Sequence, residues 1–130
     1  MSALIVSLCV GMLFASVESI DWTSPTTNTF TSVHMIDTDN GWTVGFNGTI
    51  IHWNGTDWNK ATSPTLYNLE SVCMINASDG WAVGSFGTII RWNGSSWNNA
   101  TSPTRNHFKS LSIVNASDGW AVGYSGSIIR

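Results

Sequence analysis

The chain has 130 residues, which is enough for one ordinary domain. Only 10% of them are charged and the net charge is −3 at pH 7, so the sequence lacks the basic surface that would neutralise phosphates and disfavours a nucleic-acid partner. Eight tryptophans are far above ordinary usage, and most of them fall at repeated positions, which predicts a structural role for them.

The N-terminal segment is apolar. Residues 3–15 form an uncharged run of 13, too short to span a bilayer comfortably and typical of the central region of a signal peptide. We predict that residues 1–19 are a signal peptide cleaved after Ser19, with an uncleaved hydrophobic anchor as the alternative. Either predicts an exported chain that is secreted, at the cell surface, or in a periplasm or lumen. Beyond this segment only Cys73 remains, so no intrachain disulfide is expected.

Residues 20–130 contain three copies of one sequence unit. A Gly-Trp-x-Val-Gly phrase occupies 41–45, 80–84 and 119–123, and Ser-Pro-Thr occupies 24–26, 63–65 and 102–104, both at a period of 39 residues. Self-similarity at this period, rich in Gly, Trp and β-branched residues, is typical of β-propeller blades. The predicted blades cover about 24–62, 63–101 and 102–130, the last of them truncated.

The second unit shows the predicted strands best. Residues 71–75, 81–84, 88–92 and 96–99 are short and alternating or β-branched, and turn-forming residues separate them. The predicted fold class is therefore all-β, with four-stranded antiparallel blades, roughly three of them, in an incomplete ring. Gly45 and Gly84 are expected to allow a close approach of neighbouring sheets or a bulge. Four side chains are expected in the core between blades: Met74, Trp81, Val83 and Ile89.

The run from Asp79 to Ile90 (DGWAVGSFGTII) resembles the repeat of the photosystem II assembly/stability factor family, which is related to BNR or Asp-box repeats. All three units match over roughly residues 24–130. The resemblance implies a propeller, seven-bladed in the photosynthetic members, that is exported and assists assembly of a membrane complex without catalysis. Our expectation is a fragment or a distant secreted relative of that family.

Candidate binding residues stand where the repeats differ, since a single site needs different groups from different blades. His52, Arg91 and Arg130 share one position on successive third strands. The loop after Ser-Pro-Thr varies, and there Tyr67 in one unit and Arg105 with His107 in the next are candidates for binding a protein or a glycan.

The predicted function is an exported, non-enzymatic scaffold for protein binding or assembly. A carbohydrate-binding, lectin-like propeller is the alternative, with Trp53 and Trp92 as stacking residues, and a fragment of a sialidase- or glycosidase-type propeller is a third. No catalytic residue, metal site or cofactor is predicted, because the carboxylates Asp79 and Asp118 repeat in register as turn residues do. Asn-x-Ser/Thr triplets predict N-glycosylation acceptors if the chain is exported in a glycosylating organism: Asn47, Asn54, Asn76, Asn93, Asn99 and Asn115.

Three blades cannot form the closed ring that hides sheet edges. One expectation is that the chain is a truncated piece of a longer propeller. The other is self-association, in which residues 20–23 of one copy supply the fourth strand of the last blade of its partner.

Overall fold

The computed structural model describes residues 6–10, 13–17 and 24–130, and this part of the chain is all-β. Its strands are β1 (Val6–Val10), β2 (Leu13–Val17), β3 (Phe30–Asp37), β4 (Asn40–Gly45), β5 (Ile50–Trp53), β6 (Trp58–Lys60), β7 (Leu69–Asn76), β8 (Asp79–Gly84), β9 (Ile89–Trp92), β10 (Trp97–Asn99), β11 (Phe108–Asn115), β12 (Asp118–Gly123) and β13 (Ile128–Ile129). Three 3₁₀ turns recur with the same period: Phe46–Gly48, Ser85–Gly87 and Tyr124–Gly126.

Strands β3 to β13 form three blade-like antiparallel sheets. β3–β6 and β7–β10 make two four-stranded sheets, and β11–β13 make a three-stranded one. Within each sheet the strands are neighbours in chain order, so each blade is an up-and-down meander. The predicted fold class, all-β with about three antiparallel blades in an incomplete ring, is confirmed.

The blades pack face to face through apolar side chains that alternate along the strands. β3 lies next to β7, and β7 next to β11. Between the first two blades lies one buried cluster: Trp42, Val44, Ile50, Leu69, Val72, Met74, Ala82, Ile90 and Trp97. Between the second and third lies another: Val83, Ile89, Phe108 and Ala121, with Trp81 packed against it. Of the four residues expected in the inter-blade core, Met74, Val83 and Ile89 are in these clusters and Trp81 packs against the second one.

Tryptophans fill the first of these interfaces. The Trp42 ring lies 4.7 Å from that of Trp92 and 5.4 Å, edge-on, from that of Trp97, both in the next blade. Offset and edge-to-face contacts of this kind add to the free energy gained from burial. The repeated tryptophan is therefore a packing residue here, as expected.

Hydrogen bonds repeat between the first strands of adjacent blades. The hydroxyl oxygen of Ser32 accepts from the backbone N–H of Val72 at 3.2 Å, and that of Ser71 accepts from Leu111 at 3.2 Å. Each satisfies an N–H group at the edge of a strand that has no ladder partner in its own sheet on that side. The 39-residue repeat thus specifies the contact between blades as well as the blades themselves.

The recurrence of the second glycine in the Gly-Trp-x-Val-Gly phrase has a steric cause. A Cβ atom on Gly84 would collide with the carbonyl oxygen of Asn68, and the strand pairing shifts register between Leu69 and Ser71, directly opposite. Gly45 meets the carbonyl of Thr29 in the same way. The expected bulge occurs, but the close approach is not to a neighbouring sheet: each glycine lies against the segment that enters its own blade's first strand.

The predicted signal or anchor segment, residues 1–19, is described only in part. β1 and β2 pair antiparallel within it. Residues 20–23, to which the fourth-strand prediction applies, lie outside the described residues, and export stays a prediction. The described part of the chain contains no helix long and apolar enough to cross a membrane.

Candidate functional site

The three side chains that share the third-strand position each bond to a partner in their own blade. His52 Nε2 lies 2.8 Å from Asn40 Oδ1. Arg91 binds Asp79 in a bidentate pair, with Nε to Oδ1 and Nη2 to Oδ2 both 2.9 Å. Because these partners stand at equivalent repeat positions, the arrangement is a feature of the blade.

Arg130 completes the series, with its Nε donating to Asp118 Oδ1 at 3.0 Å. Each of the three also covers the tryptophan of its blade: the ring of His52 lies 4.3 Å from that of Trp42, and the guanidinium of Arg130 lies 5.7 Å from Trp120. The hydrogen bond to Asp79 raises the pKa of Arg91, whereas burial lowers the pKa of His52. The polar groups of His52, Arg91 and Arg130 thus already have partners within their own blades, so their presence at this position needs no ligand to explain it.

Trp53 and Trp92, the candidate stacking residues for sugars, are also tied to their blades. Their indole N–H groups donate to the carbonyl oxygens of Thr38 and Ala77, each at 3.0 Å. Trp92 packs in the first inter-blade core, and Trp53 lies 5.4 Å from the ring of Trp58. Part of each indole surface is therefore covered by protein.

A row of aromatic side chains crosses the loop end of the second and third blades. We call it the aromatic ridge and define it by Tyr67, Phe86, His107 and Tyr124. The centroid distances between consecutive rings are 5.0, 4.8 and 5.7 Å. The two tyrosines and Phe86 are each more than half exposed. The structure thus brings together Tyr67 and His107, two of the predicted site residues, and adds Phe86 and Tyr124.

Backbone hydrogen bonds assemble the ridge. The N–H of Ser85, in the turn after β8, donates to the carbonyl of Asn68 at 2.8 Å, and that of Tyr124 donates to His107 at 2.8 Å. Each 3₁₀ turn is thereby clamped to the loop that precedes its own blade. A Cβ on Gly87 would collide with the carbonyl of Thr104, so the second blade's turn also lies against the third blade's loop.

Phe86 adopts an unusual backbone conformation. Its φ is +57°, in the left-handed region that a bulky side chain rarely adopts. The equivalent residues, Asn47 at +56° and Ser125 at +55°, are small and polar. A left-handed Phe costs on the order of 1 kcal/mol or more, and such strain concentrates at functional sites. Phe86 thus combines a strained backbone with an exposed ring that lies outside the core. This combination makes it a candidate for ligand binding.

The charges beside the ridge are mostly positive. Lys109 Nζ lies 3.2 Å from Glu70 Oε2 and 5.2 Å from the centroid of Tyr124, and the hydrogen bond to Glu70 raises the pKa of the lysine. Arg105 is exposed, its Cα lies against the Cβ position of Gly87, and it makes no ion pair within residues 24–130. Among residues 24–130, the predicted site residue Arg105 is thus an exposed cation without an ion-pair partner, in the loop against which Gly87 packs.

The predicted glycosylation positions are exposed; five of them lie in or beside turns and bends, and Asn99 is the last residue of β10. The Oδ1 atoms of Asn54, Asn76, Asn93 and Asn115 accept hydrogen bonds from backbone N–H groups two or three residues later. Asn99 Nδ2 donates to the carbonyl of Pro64 in the linker between the first two blades. Asn47 occupies the left-handed turn position. Turn chemistry thus accounts for most of these triplets, and glycosylation stays a prediction.

Among residues 24–130, no three His, Cys, Asp or Glu side chains lie close enough together to hold a metal ion. Two cavities, of about 490 and 310 Å³, lie at the blade faces and are lined by residues outside the ridge.

Comparisons with known proteins give the fold an independent reference. No protein-family model matches the chain, and no curated protein matches it significantly. A solved structure described as "YCF48 bound to D1 peptide" is 25% identical with a TM-score of 0.70, over 80% of this chain and 37% of that one. YCF48 from Cyanidioschyzon merolae is 20% identical with a TM-score of 0.67, over 82% of this chain and 37% of that one.

The chain spans little more than a third of the length of each of these two structures. Both are propellers of the photosystem II assembly factor type to which the repeat was compared, so that resemblance is confirmed in the structure. Within the span that it covers, the chain is similar in fold to YCF48.

Proposed function

We propose that the chain is an exported, non-enzymatic β-propeller array that serves as a scaffold for protein binding or assembly, and that its aromatic ridge receives the partner. The observation that carries the proposal is the row of four rings at consecutive spacings of 4.8 to 5.7 Å, three of them more than half exposed. Exposed aromatic clusters on a rigid scaffold are typical of protein-binding surfaces.

Two further observations support this function. The similar structure at 25% identity is described as bound to a peptide, which supports a protein partner for a chain of this fold. In addition, Asp79, Asp118 and Glu70 are engaged in ion pairs. Asp79 and Asp118 recur at the same position of successive units with an arginine partner at the same spacing, which supports a structural role for both of them.

Self-association is a separate part of the proposal. The outer face of the first blade exposes three apolar side chains: Phe30, Val33 and Met35. The outer face of the third blade exposes three more: Trp120, Val122 and Ile128. The residues at equivalent repeat positions are buried against each other between the first and second blades. We infer that the face of the third blade packs on the first blade of a second copy in that same arrangement.

The binding function is tested by panning a displayed library of random peptides against the immobilised chain. The affinity of each enriched peptide is then measured for the wild type, for Phe86→Asn and for Phe46→Ser. Phe46→Ser is the control, because Phe46 is an exposed aromatic residue of the equivalent turn in the first blade and Ser85 already occupies its position in the second.

The proposal predicts peptides that lose affinity for Phe86→Asn and keep it for Phe46→Ser. Failure to enrich any peptide, or enriched peptides that bind all three proteins equally, would contradict a binding role for the ridge.

A further inference from the structure

The larger cavity, of about 490 Å³, lies between the second and third blades, and we call it the third-blade socket. Its wall repeats the core between the first and second blades. Six of its lining residues each stand 39 residues after a member of that buried cluster: Trp81, Val83, Ile89, Leu111, Ala121 and Ile129. In the first interface the cluster also contains Trp97 of the second blade, which is only 4% exposed. Within residues 102–130 no tryptophan stands at the position of Trp97, and the socket lies where its side chain would be.

The third blade also has a sheet edge without a partner strand in the described part of the chain. Its sheet consists of β11, β12 and β13, whereas each of the other two sheets has a fourth strand, β6 or β10, beside its third. The N–H of Gly123 donates to the carbonyl of Ser127, and hydrogen bonds alternate along an antiparallel pair. The N–H and carbonyl groups of Ile128 therefore face the outer edge of β13. Unpaired groups at a sheet edge are a template for an added strand.

The second blade shows how a fourth strand binds at this edge. β10 pairs antiparallel with β9. Directly after β10, the N–H of Ala100 donates to the carbonyl of Ile89 at 2.9 Å, and the first blade repeats this bond from Ala61 to Ile50. Because Ile128 stands at the repeat position of Ile89 and Ile50, its carbonyl is the matching acceptor for a strand added to β13.

The side chains of β10 define what such a strand has to carry. Trp97 is buried toward the first blade, and Asn99 lies on the same face of the strand. Asn99 Nδ2 donates to the carbonyl of Pro64, in the linker between the first two blades, at 3.1 Å. Pro103 is the equivalent linker residue and lines the socket. A strand of the form Trp-x-Asn would thus bring an indole to the socket and an amide to the Pro103 linker.

The sequence favours a separate polypeptide over a second copy as the donor of this strand. In the register of the repeat, residues 19–22 stand at the positions of residues 97–100. Ser19 then takes the place of Trp97, and Trp22 takes the place of Ala100. A second copy in repeat register therefore offers the socket a serine side chain where the other interface has an indole.

We propose that the third blade binds an extended Trp-x-Asn segment of a separate polypeptide, which adds to β13 as a fourth antiparallel strand and places its Trp side chain in the third-blade socket. The bound indole would extend the cluster between the second and third blades, since Val83, Ile89 and Ala121 of that cluster line the socket. In strand addition, main-chain hydrogen bonds supply affinity and side-chain pockets supply specificity. This is a second binding site, separate from the aromatic ridge.

The test uses fluorescein-labelled peptides and fluorescence anisotropy with the full chain. The parent peptide has the sequence of residues 94–102, GSSWNNATS. A second peptide replaces its Trp by Ala. Two more each carry one backbone N-methyl group, either on the Ala nitrogen, which is the donor to Ile128, or on the second Asn nitrogen, which points away from the edge in the alternating pattern.

Two variants of the chain accompany the wild type, and circular dichroism confirms that each is folded. Ile128→Pro removes an N–H group that faces the outer edge, a position where a strand tolerates proline. Phe86→Asn is the control, because Phe86 belongs to the aromatic ridge and does not line the socket.

We expect the wild type and Phe86→Asn to bind the parent peptide alike. Replacing the peptide Trp by Ala should weaken binding more than about tenfold. N-methylation of the Ala nitrogen, or Ile128→Pro in the chain, should each weaken binding about five- to tenfold through a lost main-chain hydrogen bond. N-methylation of the second Asn nitrogen should change the affinity less than about twofold.

Each part of the inference has a result that overturns it. Equal binding of the Trp and Ala peptides would refute the socket, and equal effects of the two N-methyl groups would refute strand addition. Peptide binding that is lost as the chain concentration rises into the range of self-association would assign the site to a second copy. If no peptide binds, the inference fails, whereas the binding function of the ridge stands or falls separately on the Phe86→Asn comparison with the displayed library.

Discussion

The third-strand position of His52, Arg91 and Arg130 covers the tryptophan of each blade with one of two kinds of polar pair. In the second and third blades an Arg–Asp pair covers the tryptophan, while in the first blade a neutral His52–Asn40 pair does so. Burial lowers the pKa of His52 from 6.5, so the folded chain binds fewer protons than the unfolded chain just below that pH. Stability is then fully present above pH 6.5 and falls as the pH decreases toward the lowered pKa.

We therefore predict that the wild type loses more stability between pH 7.5 and pH 5.5 than His52→Gln does. Thermal unfolding at a series of pH values measures the difference. Asn40→Asp is a second variant, because a carboxylate beside His52 raises its pKa, as in the Arg–Asp blades, and reduces the loss on acidification. Identical pH profiles for the wild type and His52→Gln would show that His52 is not the group responsible.

At Phe86 the backbone conformation and the side chain are in conflict. Replacing Phe86 by Asn keeps the left-handed turn and removes the strain, and Asn47 already occupies the equivalent position. We predict that Phe86→Asn is as stable as the wild type or more stable by about 0.5–1 kcal/mol, as measured by urea denaturation. A loss of more than about 1 kcal/mol would mean that the ring stabilises the fold, and its exposure would then have a structural explanation.

The 3₁₀ turns of the first and second blades also pack against the loop that enters the next blade. Gly87 and Gly126 share a φ of +71°, but a Cβ on Gly87 would collide with the carbonyl of Thr104, whereas one on Gly126 meets nothing within 4 Å. Gly87→Ala and Gly126→Ala thus incur the same conformational cost, about 1 kcal/mol, and differ only in the contact with the next blade.

We predict that Gly87→Ala destabilises the chain by about 2 kcal/mol more than Gly126→Ala does, since the third blade's loop must move away. Chemical denaturation of the two variants gives the comparison. Equal losses would mean that the turn does not pack tightly against the neighbouring blade.

The elements were predictable from the sequence, and the ridge was predictable only in part. Four strands per unit follow from alternation and turn residues within one repeat, which are local signals. The ridge depends on contacts between residues of different units, such as Phe86 with His107, and a period alone does not give those contacts. One signal was available: Phe86 stands where the other units have Asn47 and Ser125, both suited to a left-handed turn.

The sequence also contains a signal for the role of Arg91 and Arg130. Both are candidates for binding because they are charged and stand where the first unit has His52. Aligning the units also shows an Asp twelve residues before each arginine and an Asn twelve residues before His52. That covariation within the chain indicated internal pairs, which is how the structure places them.

At the scale of the whole molecule, the outer faces of the first and third blades are exposed and apolar in a single copy of the chain. Association of two copies would bury them. Ser110 stands at the repeat position of Ser32 and Ser71, whose hydroxyl oxygens accept a hydrogen bond from a backbone N–H of the next blade. Val33 stands at the repeat position of Val72 and Leu111, the residues that donate those N–H groups. The proposed contact between copies would pair Ser110 of one copy with the backbone N–H of Val33 in the other and cover the apolar faces.

We predict that the purified chain is a dimer by light scattering coupled to size exclusion, and that Val33→Lys shifts it toward the monomer by placing a charge in the contact. Leu66→Lys is the matched control, because Leu66 is exposed in a loop away from both faces. A wild-type monomer at all concentrations, or a dimer that Val33→Lys leaves intact, would contradict self-association through these faces.

The central claim is that recognition takes place on the aromatic ridge, where the repeats differ, and the most direct test is to map binding residue by residue. Amide chemical shifts of the labelled chain would be followed during titration with a peptide enriched from the displayed library. The account predicts shifts concentrated at Tyr67, Phe86, His107 and Tyr124. Shifts concentrated instead around His52, Arg91 and Arg130, or around Trp53 and Trp92, would contradict it.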